Sequence, residues 1–360
     1  MQLIIPAIVA CLVSFGIIPW VIDLARKWRL LDNPKHRRHP AHTHRGTVPR
    51  AGGLALFAGI AVATLLYLPA TKLIAGIIGA MLLLTITGLV DDKRDVNPYV
   101  RLCLGILAVL IVVGVGAGIP FITNPLTGGI IDLQTWRFSF TFFGQHSILV
   151  WADLFAFVWL MWTMHIVGWS AGVDGQMPGF VAISAFILGL LSLRYSTSDP
   201  SALPVTILAF IVSGAFLGFL PWNVYPQKIM PGWGGKTIAG LMLGLLGILS
   251  YGKLGTALLV LGIPTVDAIY TLMRRVGRGK NPVLADRGHL HHRLLDLGWG
   301  RRRVALFYWG VSAILGAIAL TVTSQQKVFT LLLVGVVTGG FLLWLRYFWQ
   351  FSKPLDPDNG

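Results

Sequence analysis

In this chain of 360 residues, hydrophobic residues make up 55% and charged residues only 12%, with a mean hydropathy of +0.73. Soluble domains carry about 25% charge, so the two soluble domains that the length alone would suggest are excluded, and the core is built against lipid. The formal charge is +15, and every one of the 14 acidic residues is Asp. For a membrane protein that charge points to the anionic inner leaflet and to phosphorylated substrates, not to nucleic acid.

A bilayer core takes about 20 apolar residues per helix. Runs of that kind are predicted, in chain order, at 3–23, 51–69, 73–90, 99–118, 148–167, 179–194, 203–221, 237–251, 254–272, 304–323 and 328–349. The expected fold is an all-α polytopic membrane protein of about eleven transmembrane helices. Residues 1–350 form a single domain and 351–360 a short tail. The first run has no basic n-region and no small-residue cleavage site, which reads as a retained span and not a signal peptide. Between 119 and 147, Gly128, Gly129 and the alternating Trp136, Phe138 and Phe140 predict a short hairpin or an interfacial flap. Cys11 and Cys103 both sit in apolar runs, which excludes a disulfide framework and a cysteine metal site.

Lysine and arginine set the expected orientation. With the N-terminus outside, segments 24–50, 91–101, 222–236, 273–303 and the C-terminal end are cytoplasmic and hold 24 of the 29 basic residues. The outer segments keep only Lys72, Arg137, Arg194, Lys253 and Lys327. The polar motifs lie in or beside the cytoplasmic loops 24–50, 91–98, 168–178, 222–236 and 273–303, a placement that the charge count did not force. One site assembled from five loops is the simplest explanation.

Asp91 and Asp92 end the third predicted span in GLVDDKRD. Adjacent carboxylates at a membrane boundary repel unless something cationic neutralises them, either Mg²⁺ with a diphosphate or Lys93 and Arg94. Asp174 lies in AGVDGQMPG, where glycines let a ligand approach the backbone; a plain turn is the bland alternative. Asp267, in GIPTVDAIY, is expected about one turn inside a span, with a snorkelling partnership to Arg274 or Arg275 as its alternative. In DRGHLHHRL, a helix would put His289 and His292 on one face and turn His291 away, with Asp286 capping the start and Gly298 ending it. These imidazoles beside Arg287 and Arg293 suit phosphate oxygens. The histidines of the first loop (His36, His39, His42 and His44), set among eight basic residues, suit headgroup contact better than a metal. GWGGKT is not a phosphate-binding loop, because Met230 stands where that motif needs Gly and a span stands where it needs a strand.

In order, LLDNPKHRRHPAHTHRGTVPRAGGLAL, GLVDDKRDVNPYVRL, AGVDGQMPG, IPTVDAIYTLMRR and DRGHLHHRLLDLG resemble the polyprenyl-phosphate N-acetylhexosamine-1-phosphate transferases, glycosyltransferase family 4, over nearly the whole chain. The HLHH form is closer to the undecaprenyl-phosphate N-acetylglucosamine-1-phosphate branch. The resemblance implies a multi-pass enzyme of the bacterial plasma membrane, active at its cytoplasmic face in cell-envelope polysaccharide synthesis. Polyprenyl phosphate attacks the β-phosphorus of a UDP-N-acetylhexosamine and releases UMP, with Mg²⁺ (or Mn²⁺) as the cofactor and a homodimer as a possible assembly. It also implies Asp91, Asp92 and Asp174 as metal-holding and catalytic residues. Arg50, Lys236, Asp267, Arg287, His289, His291 and His292 are implied on the substrates. Two positions depart from the family pattern: Gly168 replaces an Asn and Trp233 replaces an Asp, and neither side chain offers an oxygen to a metal. The alternative function is therefore a catalytically degenerate homologue that binds polyprenyl phosphate or sugar nucleotide as a membrane scaffold. A secondary transporter would show internal repeats and charge near the midplane, and neither is found.

Overall fold

The computed structural model describes residues 2–33, 46–124, 127–141, 145–250, 254–279 and 288–347. Among them the chain is mainly helical: α1 (Ile4–Trp28), α2 (Gly52–Tyr67), α3 (Lys72–Arg94), α4 (Pro98–Gly114), α5 (Val150–Trp169), α6 (Gln176–Leu193), α7 (Ala202–Asn223) and α8 (Gly232–Leu249). After these come α9 (Leu254–Val260), α10 (Gly262–Val276), α11 (Leu290–Asp296), α12 (Arg301–Thr321) and α13 (Ser324–Tyr347). Three antiparallel ribbons join some of them: β1 (Leu31–Asp32) with β2 (Val48–Pro49), β3 (Phe121–Thr123) with β4 (Ile130–Asp132), and β5 (Arg137–Thr141) with β6 (Gln145–Leu149). The region between 119 and 147, where a short hairpin or an interfacial flap was expected, thus holds strands from two successive ribbons.

Local chemistry accounts for several helix ends. The Thr71 side chain accepts from the Ile74 N–H at 3.2 Å and starts α3. Asn97 accepts from the Tyr99 N–H at 2.9 Å, and Pro98 at the first position of α4 needs no partner for an N–H. Eight helices (α1, α3, α5, α6, α7, α8, α12 and α13) are long and apolar enough to cross a membrane, and α2 and α4 are apolar but shorter. The expected span 254–272 is not one straight helix. It is broken into α9 and α10, which are bent by 82°. Pro264 explains the break, because it has no N–H for the Val260 carbonyl and its ring crowds that carbonyl.

Large apolar side chains face outward along α1 (Ile8, Leu12) and α13 (Phe329, Leu332, Val336), as lipid permits and water would not. Inside, α8 and α6 are the most enclosed spans. With lipid outside, burying apolar surface adds little between helices, and close backbone packing has to hold the bundle. Glycine supplies it. Gly214 and Gly218 of α7 rest on the carbonyls of Ala7 and Cys11 in α1. At the end of the bundle that carries the polar motifs, Gly53 of α2 and Gly88 of α3 both press on α8. A Cβ at position 53 would lie 2.6 Å from the Gly235 nitrogen, and one at position 88 would lie 2.5 Å from the Gly234 nitrogen.

Because both obstacles are backbone atoms, Gly88→Ala should force α3 away from α8 and destabilise the protein by about 1–3 kcal/mol, the usual range for overpacking. Gly79→Ala, on the same helix but facing open space, should be neutral or mildly stabilising. Denaturation by SDS titration in mixed micelles measures both.

Candidate active site

Arg50 is fixed before its side chain does anything. Its N–H donates to the Leu30 carbonyl at 3.0 Å, and on either side the Pro49 carbonyl and the Gly52 N–H pair with Met230 at 2.8 and 2.9 Å. The guanidinium then reaches the end of α3, where its Nη2 is 3.0 Å from Asp92 Oδ1 and 3.8 Å from Asp91 Oδ2. Asp91 is fully buried and is held by Arg101 Nη1, at 3.1 and 3.2 Å from its two oxygens, and by the Val96 N–H at 3.0 Å. The backbone N–H of Trp233, in the first turn of α8, hydrogen-bonds Asp92. Gly232, at φ +66, presses so closely on Arg50 and Asp92 that a Cβ would collide with both. Lys236, one turn on, stands within electrostatic range of Arg50, Asp92, Asp32 and Arg101. Two carboxylates and three cations thus share the end of α3.

The second cluster forms where α10 meets α11. Asp267 is buried, and its Oδ2 lies 2.9 Å from His289 Nδ1 while its Oδ1 accepts from the Leu290 N–H at 2.7 Å. The carboxylate therefore fastens the start of α11 and orients an imidazole, in place of the snorkelling partnership with Arg274 or Arg275 that was its alternative. The break before α10 is what aims Asp267 toward α11.

The expectation that His291 turns away from His289 is corrected. His289 is extended, at φ −70 and ψ 151, and precedes the helix, so helical angles do not apply to it. The rings of His289 and His291 stack at 5.7 Å, and His292 lies 4.2 Å from His291. Burial, with His292 and His289 alongside and Lys236 in range, holds His291 well below the usual histidine range, so it stays neutral near pH 7. That electrostatic proximity links the histidines to the aspartate pair.

Asp174 occupies a third place. It is buried, and its Oδ2 lies 3.4 Å from the Gln227 N–H and 3.8 Å from Arg301. The loop that carries Gln227 continues to Met230 and Gly232, so one connection leads from Asp174 to Asp92. Gly168 faces open space. Trp233 is half-buried and packs on the core, with its indole where the family pattern has an acid.

Among the described residues, no three His, Cys, Asp or Glu side chains form a group that could hold a metal ion. Asp91, Asp92 and Asp174 do not come together as one such group. The fit to a divalent cation rests on the pair alone. The buried Oδ1 of Asp92 faces Arg50 without accepting a hydrogen bond. Two such carboxylates suit Mg²⁺, which takes its other ligands from phosphate and water. Arg287, Asp286 and the histidines at 36, 39, 42 and 44 lie outside the described residues. Asp32, Arg101 and Trp169 were not singled out from the sequence. Trp169 faces Arg275, whose guanidinium is 5.9 Å from its ring, and lies 6.2 Å from His289. A basic residue ten positions after a carboxylate carries no local signal of pairing.

Long apolar helices with buried charges among them define a multi-pass membrane protein, and such charges mark a candidate functional site. The sequence pattern of the family described as Glycosyl transferase family 4 matches residues 74–251, a stretch that includes Asp91, Asp92, Asp174 and Lys236. The chain is similar to this family over that stretch. It is 29% identical to the decaprenyl-phosphate N-acetylglucosaminephosphotransferase of Mycolicibacterium smegmatis, over 89% of this chain and 82% of that one. It is 25% identical to a probable undecaprenyl-phosphate N-acetylglucosaminyl 1-phosphate transferase of Bacillus subtilis, over 99% and 98%. A phospho-N-acetylmuramoyl-pentapeptide-transferase of Moorella thermoacetica is 24% identical over 88% and 96%.

Removing Arg101 leaves a fully buried carboxylate with only the Val96 N–H and the longer contact to Arg50, a situation that commonly costs about 3–5 kcal/mol. Arg101→Met should therefore destabilise strongly. Asp91→Asn on that background should recover part of the loss, so that the two changes are far from additive in a double-mutant cycle. Additive effects would mean that the pair is not coupled.

Proposed function

We propose that this chain transfers a sugar-1-phosphate, N-acetylglucosamine-1-phosphate, from a UDP-sugar to polyprenyl phosphate and releases UMP. The observation that carries this reading is the pair of adjacent buried carboxylates flanked by Arg50 and Lys236, beside the Asp267–His289 pair, in a bundle open to lipid. An acceptor with a polyprenyl tail reaches such a site through the membrane, and a nucleotide reaches it from water. The names of the relatives at 29% and 25% identity point to the same chemistry.

In this reaction an oxygen of the polyprenyl phosphate forms a bond to the β-phosphorus of the donor. The bond from that phosphorus to the oxygen bridging to the α-phosphorus breaks, and UMP leaves with that oxygen. The chain's residues divide the work. Arg50 and Lys236 supply fixed positive charge to the diphosphate, in a setting where little water competes. Asp91 and Asp92 hold Arg50 and are the residues that would hold Mg²⁺, which when bound supplies Lewis-acid neutralisation of the diphosphate. His289, oriented by Asp267, and the neutral His291 offer donors and acceptors to phosphate or sugar oxygens. Asp174 and Arg287 complete the proposed contacts. The α8 N-terminus at Trp233 contributes N–H groups where the family pattern contributes a carboxylate.

The test is UMP release by purified protein given undecaprenyl phosphate, UDP-N-acetylglucosamine and Mg²⁺. Asp92→Asn should lower turnover by about a thousandfold, which is roughly 4 kcal/mol of barrier. Wild-type protein that binds both substrates but releases no UMP would replace this reading with the scaffold.

The proposed topology counts α2, α4 and the bent α9–α10 pair as spans, with the N-terminus outside and the site facing the cytoplasm of a bacterial plasma membrane. The 24 basic residues in the segments assigned inside support it. A cysteine placed at Arg278 should resist an impermeant thiol reagent in intact cells, while one at Gly128 should react. The reverse pattern would put the site on the wrong face.

A further inference from the structure

The structure holds a charged cavity beside the segment that carries Arg50 and the loop that meets Asp174, since Pro49 and Gln227 are among its lining residues. It has a volume of about 410 Å³ and opens between α1 and the end of α7; Pro19, Ile22, Asp23, Arg26, Trp222 and Lys228 are among the residues that line it. Both helices change character at this level. The apolar run of α1 gives way to Asp23, Arg26 and Lys27, and that of α7 ends at Trp222 and Asn223. Trp20 and Trp28 on α1 are exposed at the same end, as tryptophans at a headgroup layer are.

The walls divide by chemistry. Pro19 and Ile22 are apolar, and Phe15, one turn further along α1, is 42% exposed with its ring 5.5 Å from Trp222, so the apolar wall continues out to the lipid-facing surface. The mouth carries Arg26 and Lys228 against a single carboxylate, Asp23. Lys228 is not loosely placed, because its N–H donates to the Trp222 carbonyl at 2.8 Å and its ammonium sits 5.1 Å from the centre of the Trp222 ring. Arg26 reaches Asp23 only at 3.4 Å, with both side chains largely in solvent, a pair weak enough to exchange for a phosphate. Arg26 and Lys228 are not among the proposed transferase contacts, although Gln227, which also lines the cavity, donates its N–H to Asp174.

We propose that this cavity binds the headgroup of a membrane glycerophospholipid. The phosphodiester lies between Arg26 and Lys228, and one acyl chain runs along α1 past Phe15. The charge balance at the mouth (two cations to one carboxylate) accepts one phosphate and leaves Asp23 for an ammonium headgroup. The apolar wall, continuous with lipid, separates this ligand from a free phosphate ester.

The test uses full-length protein purified in mild detergent from membranes, with bound phospholipid counted by native mass spectrometry. Wild type should retain phospholipid, and the double variant Arg26→Gln/Lys228→Gln should show at least a tenfold lower occupancy while UMP release in excess detergent is unchanged. The exchanged pair Arg26→Lys/Lys228→Arg should keep the lipid, which separates lost charge from a damaged fold. Equal retention in the Gln variant would overturn the proposal. So would displacement by soluble glycerol 3-phosphate as effectively as by phospholipid, which would make the ligand a free phosphate ester. Displacement by polyprenyl phosphate alone would also overturn it, since the cavity would then belong to the acceptor substrate.

Discussion

The approach of α2 and α3 to the start of α8 is the constraint on which the site depends. Gly53 and Gly88 meet Gly235 and Gly234 at distances that no side chain allows. In a membrane, helices gain little from burying apolar side chains against one another, so contact between backbones becomes a main source of specificity. The crossing does more than pack three helices. It brings the end of α3 against the first turn of α8, with its N–H groups and positive dipole end, and brings Arg50, just before α2, over both.

Once that crossing exists, the electrostatics follow. Two buried carboxylates side by side would be untenable without counter-charge, and the structure answers with Arg50, Arg101, the Trp233 N–H and nearby Lys236. The result is a balanced nest of charge at a lipid boundary. In the proposed reaction an incoming diphosphate would meet cations already held in place by carboxylates, so little reorganisation would be left for the moment of reaction. The same logic explains how Trp233 can stand where the family pattern has an acid. Its side chain packs on the core, while its backbone N–H serves the neighbouring carboxylate.

The break between α9 and α10 has a comparable role on the other side of the site. Pro264 ends one helix, and the bent continuation presents Asp267 to the entry of α11. That carboxylate, fastened to His289 and to the Leu290 N–H, makes a short seven-residue helix into a rigid support for three imidazole rings.

Much of this was legible in the residues themselves. The membrane class follows from hydropathy, because a run of apolar side chains has one stable environment whatever its neighbours do. The motifs GLVDDKRD, IPTVDAIY and DRGHLHHRL marked Asp91, Asp92, Asp267 and the histidines, because ionisable groups beside apolar helices stand out locally. Partners did not stand out. Arg101 as the mate of Asp91, His289 as the mate of Asp267, and the stacking of His291 on His289 all depend on contacts across helices or on a single extended residue before α11. Sequence spacing likewise says nothing about which helix ends converge. Sequence alone determined which side chains carry charge and that lipid surrounds the rest. Only the tertiary structure decided which charges face each other, because pairing energy depends steeply on separation and burial, and both are set by how closely glycine lets the backbones approach.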